Sequence, residues 1–410
     1  MTVLEDTVKL RLFAGPFADA VAHVARALPT RPPVPVLAGI LLRTDEHGLH
    51  LAAFDYEACA TTRIDAEIAD DGTALVSGRL LNDICKALPK AAEVDIELSG
   101  ARLLLTAGTA RFTLPTLPVE EYPALPAAPD TVLTVDGDAL ADAVTQTVVA
   151  AGTDDTLPAL TGVQMILEGS RLTLAATDRY RFAVRELTVK PTGTLPDAKP
   201  VKKTRKKGED AGPTAEELDA AARTVLVPAK FLAEAARALA GEHPVAIGWS
   251  DGQLTLSIPG RTTGTRLLEA EFPKFRGLFP DTADAELTIT VPVEETLAAI
   301  KRVALVASDK SPLRLAVDGD QLLIEAGDGD DARAVDRVPC AAVGAIGDRV
   351  RGCDVAFKPG YLADCLKALA TPEARLHLTS STKPVLVLGY SGDLAEGGYQ
   401  HLLMPIRLQG

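Results

Sequence analysis

The stretch VSGRLLNDICKALP, residues 76–89, decides the fold because it recurs twice further along the chain. Residues 227–240 read VPAKFLAEAARALA, and residues 357–370 read FKPGYLADCLKALA. Each copy begins with strand-like residues, turns, and continues with apolar side chains three and four positions apart, as with Leu80 and Ile84 in the first copy. This spacing predicts an amphipathic helix in each copy.

Two further patterns recur in the same order. A strand, a polar turn and a second strand are predicted in residues 48–64, 170–187 and 320–338. A helix that begins after a proline or a Gly-Asp pair is predicted in residues 16–28, 137–150 and 292–308. The order helix, strands, polar turn, strand, helix, strands therefore occurs three times, and such internal repetition predicts a triplicated architecture.

Proline-rich connectors divide the repeats. TLPVEEYPALPAAPD (116–130) and FPKFRGLFPDTADA (272–285) occupy matching positions, each after a strand-like run. They predict three domains, at residues 1–128, 129–281 and 282–410. Short consecutive strands with turn residues between them favour antiparallel sheets, so we expect an α+β fold with antiparallel sheets and two helices in each domain.

The bulk composition bounds the class of protein. The 410 residues are 47% hydrophobic and 24% charged, with a net charge of −14. An acidic total disfavours a protein that grips nucleic acid tightly over its whole surface. Five cysteines without a CxxC pair, no signal-like start and no apolar run of membrane length favour a cytoplasmic protein with reduced thiols.

A charged insertion lengthens the middle repeat. Residues 197–217, DAKPVKKTRKKGEDAGPTAEE, lack apolar periodicity and hold six basic side chains. The composition predicts a flexible surface loop. Its basic residues either contact phosphate or stay solvated, and the sequence leaves both interpretations open.

A search for catalytic motifs leaves one candidate. The chain has no Walker phosphate loop, nucleophile elbow, HExxH helix or Cys/His ligand spacing, and we predict no metal and no cofactor. The acidic run GDGDDARAVD (327–336) lacks the glutamate of a calcium loop and predicts a β-turn. In TLAATDRYRFAVREL (173–187), Asp178, Tyr180 and Arg181 are a possible acid/base group of a small-molecule enzyme.

The repeats favour a structural role for this aspartate. FDYEA (54–58) and GDGDD (327–331) place an aspartate at the equivalent turn. Because Asp accepts hydrogen bonds from the backbone N–H groups that follow it, the shared feature indicates a turn. The segment from Arg179 to Phe182 is specific to the middle repeat, and we expect its function there.

Several segments together resemble the bacterial DNA polymerase III beta subunit family, the replication sliding clamps. They are RPPVPVLAGILL (31–42), VSGRLLNDICKALP, TARFTLPTLPVEEYPALP (109–126), AATDRYRFAVREL, FPKFRGLFP and LLMPIRL (402–408). The resemblance runs from about residue 8 to 408, interrupted by residues 197–217. It implies a DNA-clamp fold, a head-to-tail homodimeric ring around duplex DNA, and a non-catalytic processivity factor.

The resemblance implies roles for particular residues. At the subunit junction it implies Phe112, Leu114, Leu305 and Val306. Sequence-independent DNA contacts are implied for scattered basic residues, each of which is otherwise a solvated side chain: Arg26, Arg31, Arg79, Lys86, Lys230, Arg237, Lys301, Arg302, Lys358 and Lys367. Weak contacts of this kind suit a ring that must slide.

The resemblance also implies a groove between the second and third domains. There the replicative polymerase, the clamp loader and repair proteins dock short apolar peptides. The implied groove residues are Leu160, Thr177, Arg179, Tyr180, Arg181, Phe182, Pro273, Leu278, Tyr361, Thr382, Pro384, Leu402, Met404, Pro405, Ile406, Arg407 and Leu408. Aliphatic, aromatic and methionine side chains accept several related peptides, and arginine orients them.

Three departures from the family pattern leave a second role open, one of them the basic segment 197–217, which is longer than the family needs. Gly277 stands where some members carry a larger side chain, and Arg179-Tyr180 replaces a Gly-His pair. The alternative is therefore an auxiliary or variant clamp with altered partner or inhibitor binding.

Overall fold

The computed structural model describes residues 8–192, 222–239, 241, 244–250, 252–307, 312–327, 332–344, 355–391 and 398–406. Residues 197–217 and the aspartates of 328–331 lie outside them. The first set of elements is β1 (Lys9–Phe13), α1 (Ala14–Val24), β2 (Gly39–Asp45), β3 (Gly48–Phe54), β4 (Ala58–Ile64), β5 (Glu67–Asp70), β6 (Thr73–Ser77), α2 (Gly78–Ala87), β7 (Glu93–Ser99), β8 (Arg102–Ala107) and β9 (Ala110–Leu117).

Two further sets follow in the same order. The second is β10 (Thr131–Asp136), α3 (Gly137–Val148), β11 (Gly162–Glu168), β12 (Arg171–Thr177), β13 (Arg181–Thr188), β14 (Lys190–Pro191), β15 (Arg223–Pro228), α4 (Ala229–Leu239), β16 (Pro244–Trp249), β17 (Gln253–Ile258) and β18 (Arg261–Arg266). The third is β19 (Leu287–Pro292), α5 (Val293–Val303), β20 (Leu313–Asp318), β21 (Gln321–Ala326), β22 (Ala334–Pro339), β23 (Ala341–Gly344), β24 (Val355–Phe357), α6 (Pro359–Leu369), β25 (Glu373–Leu378), β26 (Val385–Tyr390) and β27 (Tyr399–Leu403).

The predicted triplication and α+β class are confirmed. Within the described residues each set has nine strands and two helices in one order, a strand, a helix, five strands, a helix and three strands. Neighbouring strands pair antiparallel. The order arises because each helix-forming stretch follows a strand and a short turn, as the sequence pattern indicated.

The described residues form two compact units. The first lies within Met1–Gly137, Pro191–Gly193 and Arg237–Leu267, and the second within Asp138–Lys190, Thr194–Ala236 and Leu268–Gly410. The middle set of elements is divided between them. The predicted boundaries at 1–128, 129–281 and 282–410 stay a prediction.

Each unit is built on extended antiparallel sheet. In the first unit the strand order is β10-β16-β17-β18-β4-β3-β2-β6-β9-β8-β7-β1-β5. In the second unit one sheet has the order β15-β11-β12-β13-β27-β26-β25-β19-β23 and another β22-β21-β20-β24. We call the β4–β18 pair the first junction and the β13–β27 pair the second junction. At each junction, strands from consecutive repeats pair.

Helix α2 shows how the repeated stretch packs. Leu81, Ile84 and Cys85 are buried in the core of the first unit, whereas Leu80 is 45% exposed. The predicted helix is therefore confirmed. The prediction that Leu80 lies on its buried face is wrong, because the next residue, Leu81, faces the sheet instead. A Cβ at Gly78 would lie 2.8 Å from Ile40 Cγ1, so the helix starts too close to the sheet for any larger residue.

Candidate peptide-docking site

The turn between β12 and β13 is held by Asp178. Its Oδ1 accepts hydrogen bonds from the backbone N–H groups of Tyr180 and Arg181, both at 3.0 Å. Arg179 has a φ of +80°, a left-handed conformation that most residues avoid. Thr177 Oγ1 donates to the Arg181 carbonyl oxygen at 2.7 Å. The backbone of this turn is therefore fixed by its own side chains.

The turn between β3 and β4 has the same construction. Asp55 Oδ1 accepts from the backbone N–H groups of Glu57, at 3.0 Å, and Ala58, at 2.6 Å. Tyr56 has a φ of +75°. The interpretation of the aspartate as a turn former is confirmed at both described copies.

Arg181 joins this turn to helix α6. The Arg181 side chain is 11% exposed, and its Nε lies 2.9 Å from Asp178 Oδ2 while its Nη1 lies 3.0 Å from Asp364 Oδ2. Its guanidinium carbon lies 4.3 Å from the centroid of the Tyr361 ring, a cation–π distance. Burial, and secondarily the charge of Asp178, raise the pKa of Tyr361. Both Asp178 oxygens are thus occupied in fixing the turn rather than in proton transfer.

An aromatic cluster supports the other side of β13. The Phe182 ring centroid lies 5.8 Å from that of Phe272, 5.2 Å from that of Phe275 and 5.8 Å from that of Phe279. Leu402 is buried in the same cluster. The connector at residues 272–280 is therefore anchored to the sheet, and Leu278 lies on its solvent side.

Five strands meet at this end of the sheet. Pairing places the ends of β12 and β27 beside the starts of β11, β13 and β26. Beyond β27, the Met404 N–H donates to the Tyr180 carbonyl oxygen, and the Ile406 N–H to the Ala356 carbonyl oxygen, both at 2.8 Å. Tyr180 is 60% exposed, Leu278 53%, Met404 41% and Ile406 40%. Large apolar side chains thus remain in solvent on a rigid support.

A buried polar group lies behind this end of the sheet. The Tyr399 hydroxyl lies 3.0 Å from the Gln146 carbonyl oxygen and 2.8 Å from His401 Nδ1. Gln146 Nε2 donates to the Ala368 carbonyl oxygen at 3.0 Å. Burial lowers the pKa of His401 to about 3, so this imidazole is neutral in the folded protein at neutral pH.

The implied groove residues divide by exposure. Exposed are Arg179, Tyr180, Pro273, Leu278, Thr382, Met404 and Ile406. Half-buried are Leu160, Arg181, Tyr361, Pro384 and Pro405, and buried are Thr177, Phe182 and Leu402. Arg407 and Leu408 lie outside the described residues. The buried members support the site instead of lining it.

Sequence reasoning missed two supporting residues, Asp364 and Phe275. Asp364 follows Tyr361 by three positions on α6, so both side chains face Arg181 from one side of the helix. Phe275 lies within the FPKFRGLFP segment that contributed to the resemblance. The spacing on α6 and the phenylalanine-rich segment were both visible in the sequence. Neither pattern indicated that Asp364 contacts Arg181 or that Phe275 contacts Phe182.

The implied DNA-contact residues are all exposed in their own units. Some already have protein partners. Arg79 Nη2 donates to the carbonyl oxygens of Pro29, at 3.0 Å, and Thr30, at 2.6 Å, just before Arg31. Arg302 Nε donates to Asp336 Oδ2 at 2.7 Å. Their assignment as DNA contacts stays a prediction.

The implied subunit-junction residues differ in exposure. Leu305 is 84% exposed and Val306 is half-buried at the end of α5. Phe112 is half-buried on β9, but Leu114 is 1% exposed and packs in the core of the first unit. The Leu114 side chain is therefore inaccessible to a second copy, because β9 alternates its residues and turns this one inward.

Two further findings concern metal sites and membrane-spanning helices. Among the described residues, no group of three or more His, Cys, Asp or Glu side chains is arranged to hold a metal ion. In the same part of the chain, no helix is long and apolar enough to cross a membrane.

Family models match nearly the whole chain. The model of the DNA polymerase III beta subunit N-terminal domain matches residues 8–126, that of the central domain residues 134–206 and 213–274, and that of the C-terminal domain residues 276–407. A crystal structure of the Pseudomonas aeruginosa sliding clamp bound to griselimycin matches with a TM-score of 0.82, at 24% identity, over 98% of this chain and 100% of that one. The fold is therefore the DNA-clamp fold.

Curated relatives agree with this class. The beta sliding clamp of Streptomyces coelicolor is 45% identical over 98% of this chain and 100% of its own length. The beta sliding clamp homolog GriR of Streptomyces muensis is 34% identical over 95% of this chain and 96% of its own length. This chain belongs to the DNA polymerase III beta subunit family. The family consists of sliding clamps, non-catalytic processivity factors of DNA replication that encircle DNA as dimers and work with polymerases.

Proposed function

We propose that this chain is a replicative sliding clamp that recruits its partners through the sheet end around Tyr180 and Met404. The observation that carries the proposal is the group of exposed apolar side chains, Tyr180, Leu278, Met404 and Ile406, on a support fixed by Arg181 and Phe182. Pre-organised apolar surfaces bind peptides with little loss of conformational freedom. The partners are the replicative polymerase, the clamp loader and repair proteins.

The residue types suit short apolar peptides. Met404 has a flexible thioether side chain that adapts to different apolar side chains. Tyr180 and Tyr361, whose ring centroids are 6.4 Å apart, offer an aromatic wall. Arg179 is exposed and supplies a positive charge for orienting an acidic group. One site of this kind accepts several related peptides.

Two strand edges support closure of a head-to-tail homodimer. Strand β9 pairs with β8 at residues 110–115 and with β6 only at Thr116 and Leu117, so residues 110–114 have an open edge among the described strands. Strand β22 has one neighbour, β21, in the described part of its sheet. Pairing β9 of one copy with β22 of another covers both edges and forms a closed ring of two copies.

The charge distribution fits a ring that slides on DNA in the cytoplasm. The chain carries a net charge of −14, while single basic residues, for example Arg26, Lys86 and Lys367, are exposed on or beside helices. Scattered positive charges give weak, salt-dependent phosphate contacts, and topology rather than affinity keeps the ring on DNA. We also propose the three domains at 1–128, 129–281 and 282–410, supported by the three element sets.

The main clamp is favoured over a variant copy. Identity to the Streptomyces coelicolor beta sliding clamp, 45%, exceeds that to the homolog GriR, 34%. Gly277 and the Arg179-Tyr180 pair nevertheless face solvent at the proposed docking site. They are the positions where partner or inhibitor preference would differ.

The docking proposal is tested by peptide binding. A fluorescent QLDLF peptide is titrated with the full-length protein, and fluorescence polarisation gives the dissociation constant. Met404→Ala and Leu278→Ala each remove apolar contact area, so each weakens binding by about tenfold, equivalent to about 1.4 kcal/mol. Val343→Ala, at an equally apolar and 75% exposed position on β23, leaves the affinity unchanged. Equal affinities for all four proteins would contradict the docking site.

The ring is tested separately by light scattering and by polymerase assay. The wild-type protein has the mass of two chains and increases the product length of a polymerase on a primed DNA circle. Leu305→Arg places a charge two residues beyond α5, at a position that is 84% exposed, and gives a monomer that does not increase product length. A wild-type protein that stays monomeric at micromolar concentration would contradict the ring, whatever its peptide affinity.

A further inference from the structure

The same sheet face occurs in both units, because the strand register repeats. In the first unit Leu41 pairs with Ala52, which pairs with Thr61. In the second unit Gln164 pairs with Ala175, which pairs with Val184. The equivalent turns at Asp55 and Asp178 fix this alignment, so β2, β3 and β4 correspond residue by residue to β11, β12 and β13.

The second unit fills this face with its own side chains. Ile166, Ala175 and Val184 are buried in one cluster with Phe272 and Phe275 of the connector. The connector therefore covers this face. It serves to hold the connector in place.

The first unit leaves the equivalent face open. Arg43 stands where the second unit has Ile166, and Thr61 where it has Val184. These residues line a cavity of about 350 Å³ together with Leu41, Leu125 and Ile258. Pockets that hold small ligands begin at about 300 Å³, so this volume accommodates one large side chain and its adjoining backbone.

Two arginines stand on the cavity face of an acidic protein. Arg43, His50 and Arg63 stand directly opposite one another across three strands, on the face that lines the cavity. Arg261, on the next strand, pairs with Thr62 and belongs to the alternate row of side chains, on the α1 side of the sheet. None of the described residues that line the cavity is Asp or Glu. Asp45, beside it, lies 2.9 Å from His50 Nε2 and 4.0 Å from Arg43 Nη2.

The apolar wall of the cavity is held in position. Leu125, which lines the cavity, belongs to the connector at 116–130. This residue is 36% exposed. Three residues earlier, the Tyr122 hydroxyl oxygen accepts a hydrogen bond from the Phe54 N–H at 2.8 Å. This bond ties the connector to the end of β3. The protein's own contacts therefore hold the apolar wall over the sheet.

We propose that this cavity binds an acidic peptide segment of a partner protein. One large apolar side chain enters between Leu125 and Ile258, and flanking carboxylates pair with Arg43 and Arg63. Charge complementarity selects this occupant, because both the arginines and the apolar wall are then covered. Helix α1 packs on the opposite face of the sheet, in one core cluster with Leu42, Leu51 and Ala60. If the helices of the ring face DNA, the cavity faces outward.

The experiment uses the full-length protein and a labelled acidic peptide, DEFDE, acetylated and amidated at its ends. Fluorescence polarisation at low salt gives the dissociation constant. Arg43→Ala and Arg63→Ala each weaken binding by at least about fivefold, about 1 kcal/mol. Arg102→Ala, an exposed arginine on β8, is the matched control and leaves the affinity unchanged. Circular dichroism verifies that each variant is folded.

Further arms distinguish binding in this cavity from binding at the docking site and from general attraction of anions. The Met404→Ala variant binds DEFDE like the wild type, and the peptide DEGDE, which lacks the aromatic anchor, binds at least about fivefold more weakly. No binding of DEFDE to the wild type, or equal loss in Arg102→Ala, overturns the proposal. Loss in Met404→Ala overturns it in favour of the docking site. Binding of DEGDE or pyrophosphate as tight as that of DEFDE, or displacement by a short DNA duplex at a lower concentration, overturns it in favour of a general anion or nucleic-acid site.

Discussion

The two strand junctions have the same backbone and different side chains. At the first junction the turn at Asp55 precedes β4, and the Arg266 N–H donates to the Glu57 carbonyl oxygen at 2.8 Å. At the second, the turn at Asp178 precedes β13, and the Met404 N–H donates to the Tyr180 carbonyl oxygen, also at 2.8 Å. The frame is therefore a property of the repeat.

The side chains on that frame set the function. The first junction has Ala58 where the second has Arg181, and an exposed Glu57–Arg266 ion pair, 3.8 Å long, where the second has Tyr180 and Met404. A polar, solvated pair offers little to an apolar peptide. The comparison teaches that a docking site requires only a few substitutions on a strand end that the fold already makes rigid.

The largest expected effect comes from Arg181→Ala. This change removes the partner of two carboxylates, of which Asp178 has a side chain only 11% exposed. An uncompensated buried carboxylate costs roughly 3 kcal/mol, so we expect the free energy of unfolding to fall by about that amount. Urea denaturation followed by circular dichroism measures the change, and the QLDLF affinity falls in parallel because Tyr361 loses its cation.

The matched control is Arg179→Ala in the same turn. Arg179 is exposed, so the free energy of unfolding changes by less than about 0.5 kcal/mol. Equal destabilisation by the two variants would show that Arg181 does not hold the second junction together.

The pH dependence of stability separates the junctions next. His401 on β27 pairs with Ala183, and in the same register the first junction has Thr263, paired with Ala60. The pKa of His401 is lowered to about 3 by burial, against about 6.5 when unfolded. Above pH 6.5 the histidine is neutral in both states and its contribution is fully present. As the pH falls from 6.5 towards 3, only the unfolded chain takes up the proton, and stability decreases by roughly 2–3 kcal/mol by pH 4.5.

His401→Thr, which copies the residue at the first junction, removes the pH-dependent loss of stability that is due to His401. Its melting temperature falls less between pH 7 and pH 4.5 than that of the wild type, although its stability at pH 7 is lower. His47→Thr, at an exposed turn, keeps the wild-type difference. If the melting temperature of His401→Thr fell as much between pH 7 and pH 4.5 as that of the wild type, the buried His401 would not be the source of the pH dependence.

Local patterns predicted the frame, and long-range contacts lay beyond them. The three element sets and the aspartate turns follow from repeats a few residues long, because helices and turns are local structures. The pairing of Arg181 with Asp364, 183 positions away, depends on how strands from different repeats meet. Leu114 has the residue type of a contact surface, but strand alternation turns it inward. The cavity beside Arg63 was missed because its basic residues are dispersed in sequence and converge only across paired strands.

A smaller effect distinguishes the two turn aspartates. Asparagine keeps the Oδ1 acceptor for the backbone N–H groups but removes the charge. Asp178→Asn weakens the bond to Arg181 and costs about 1.5–3 kcal/mol, whereas Asp55→Asn has no such partner in its turn and costs less than about 0.5 kcal/mol. Urea denaturation of both variants measures the difference. Equal costs would mean that the charge of Asp178 adds nothing to the shared turn.

The smallest expected effect tests whether the side chains at the first junction contribute as little energy as their exposure indicates. The Glu57 and Arg266 side chains are 72% and 59% exposed, and an exposed ion pair contributes about 0.2–1 kcal/mol at most, since water and salt screen it. Arg266→Met, which copies Met404 of the second junction, therefore changes the free energy of unfolding by less than about 1 kcal/mol, measured by the fluorescence of Trp249 in urea.

The same variant leaves QLDLF affinity at the wild-type value, because the first junction still lacks the aromatic wall and the arginine that fix the second. Arg266→Lys, which keeps the charge, is the control for the ion pair. Tighter peptide binding by Arg266→Met, with a second binding event per chain, would show that one methionine suffices to make a docking site on this frame.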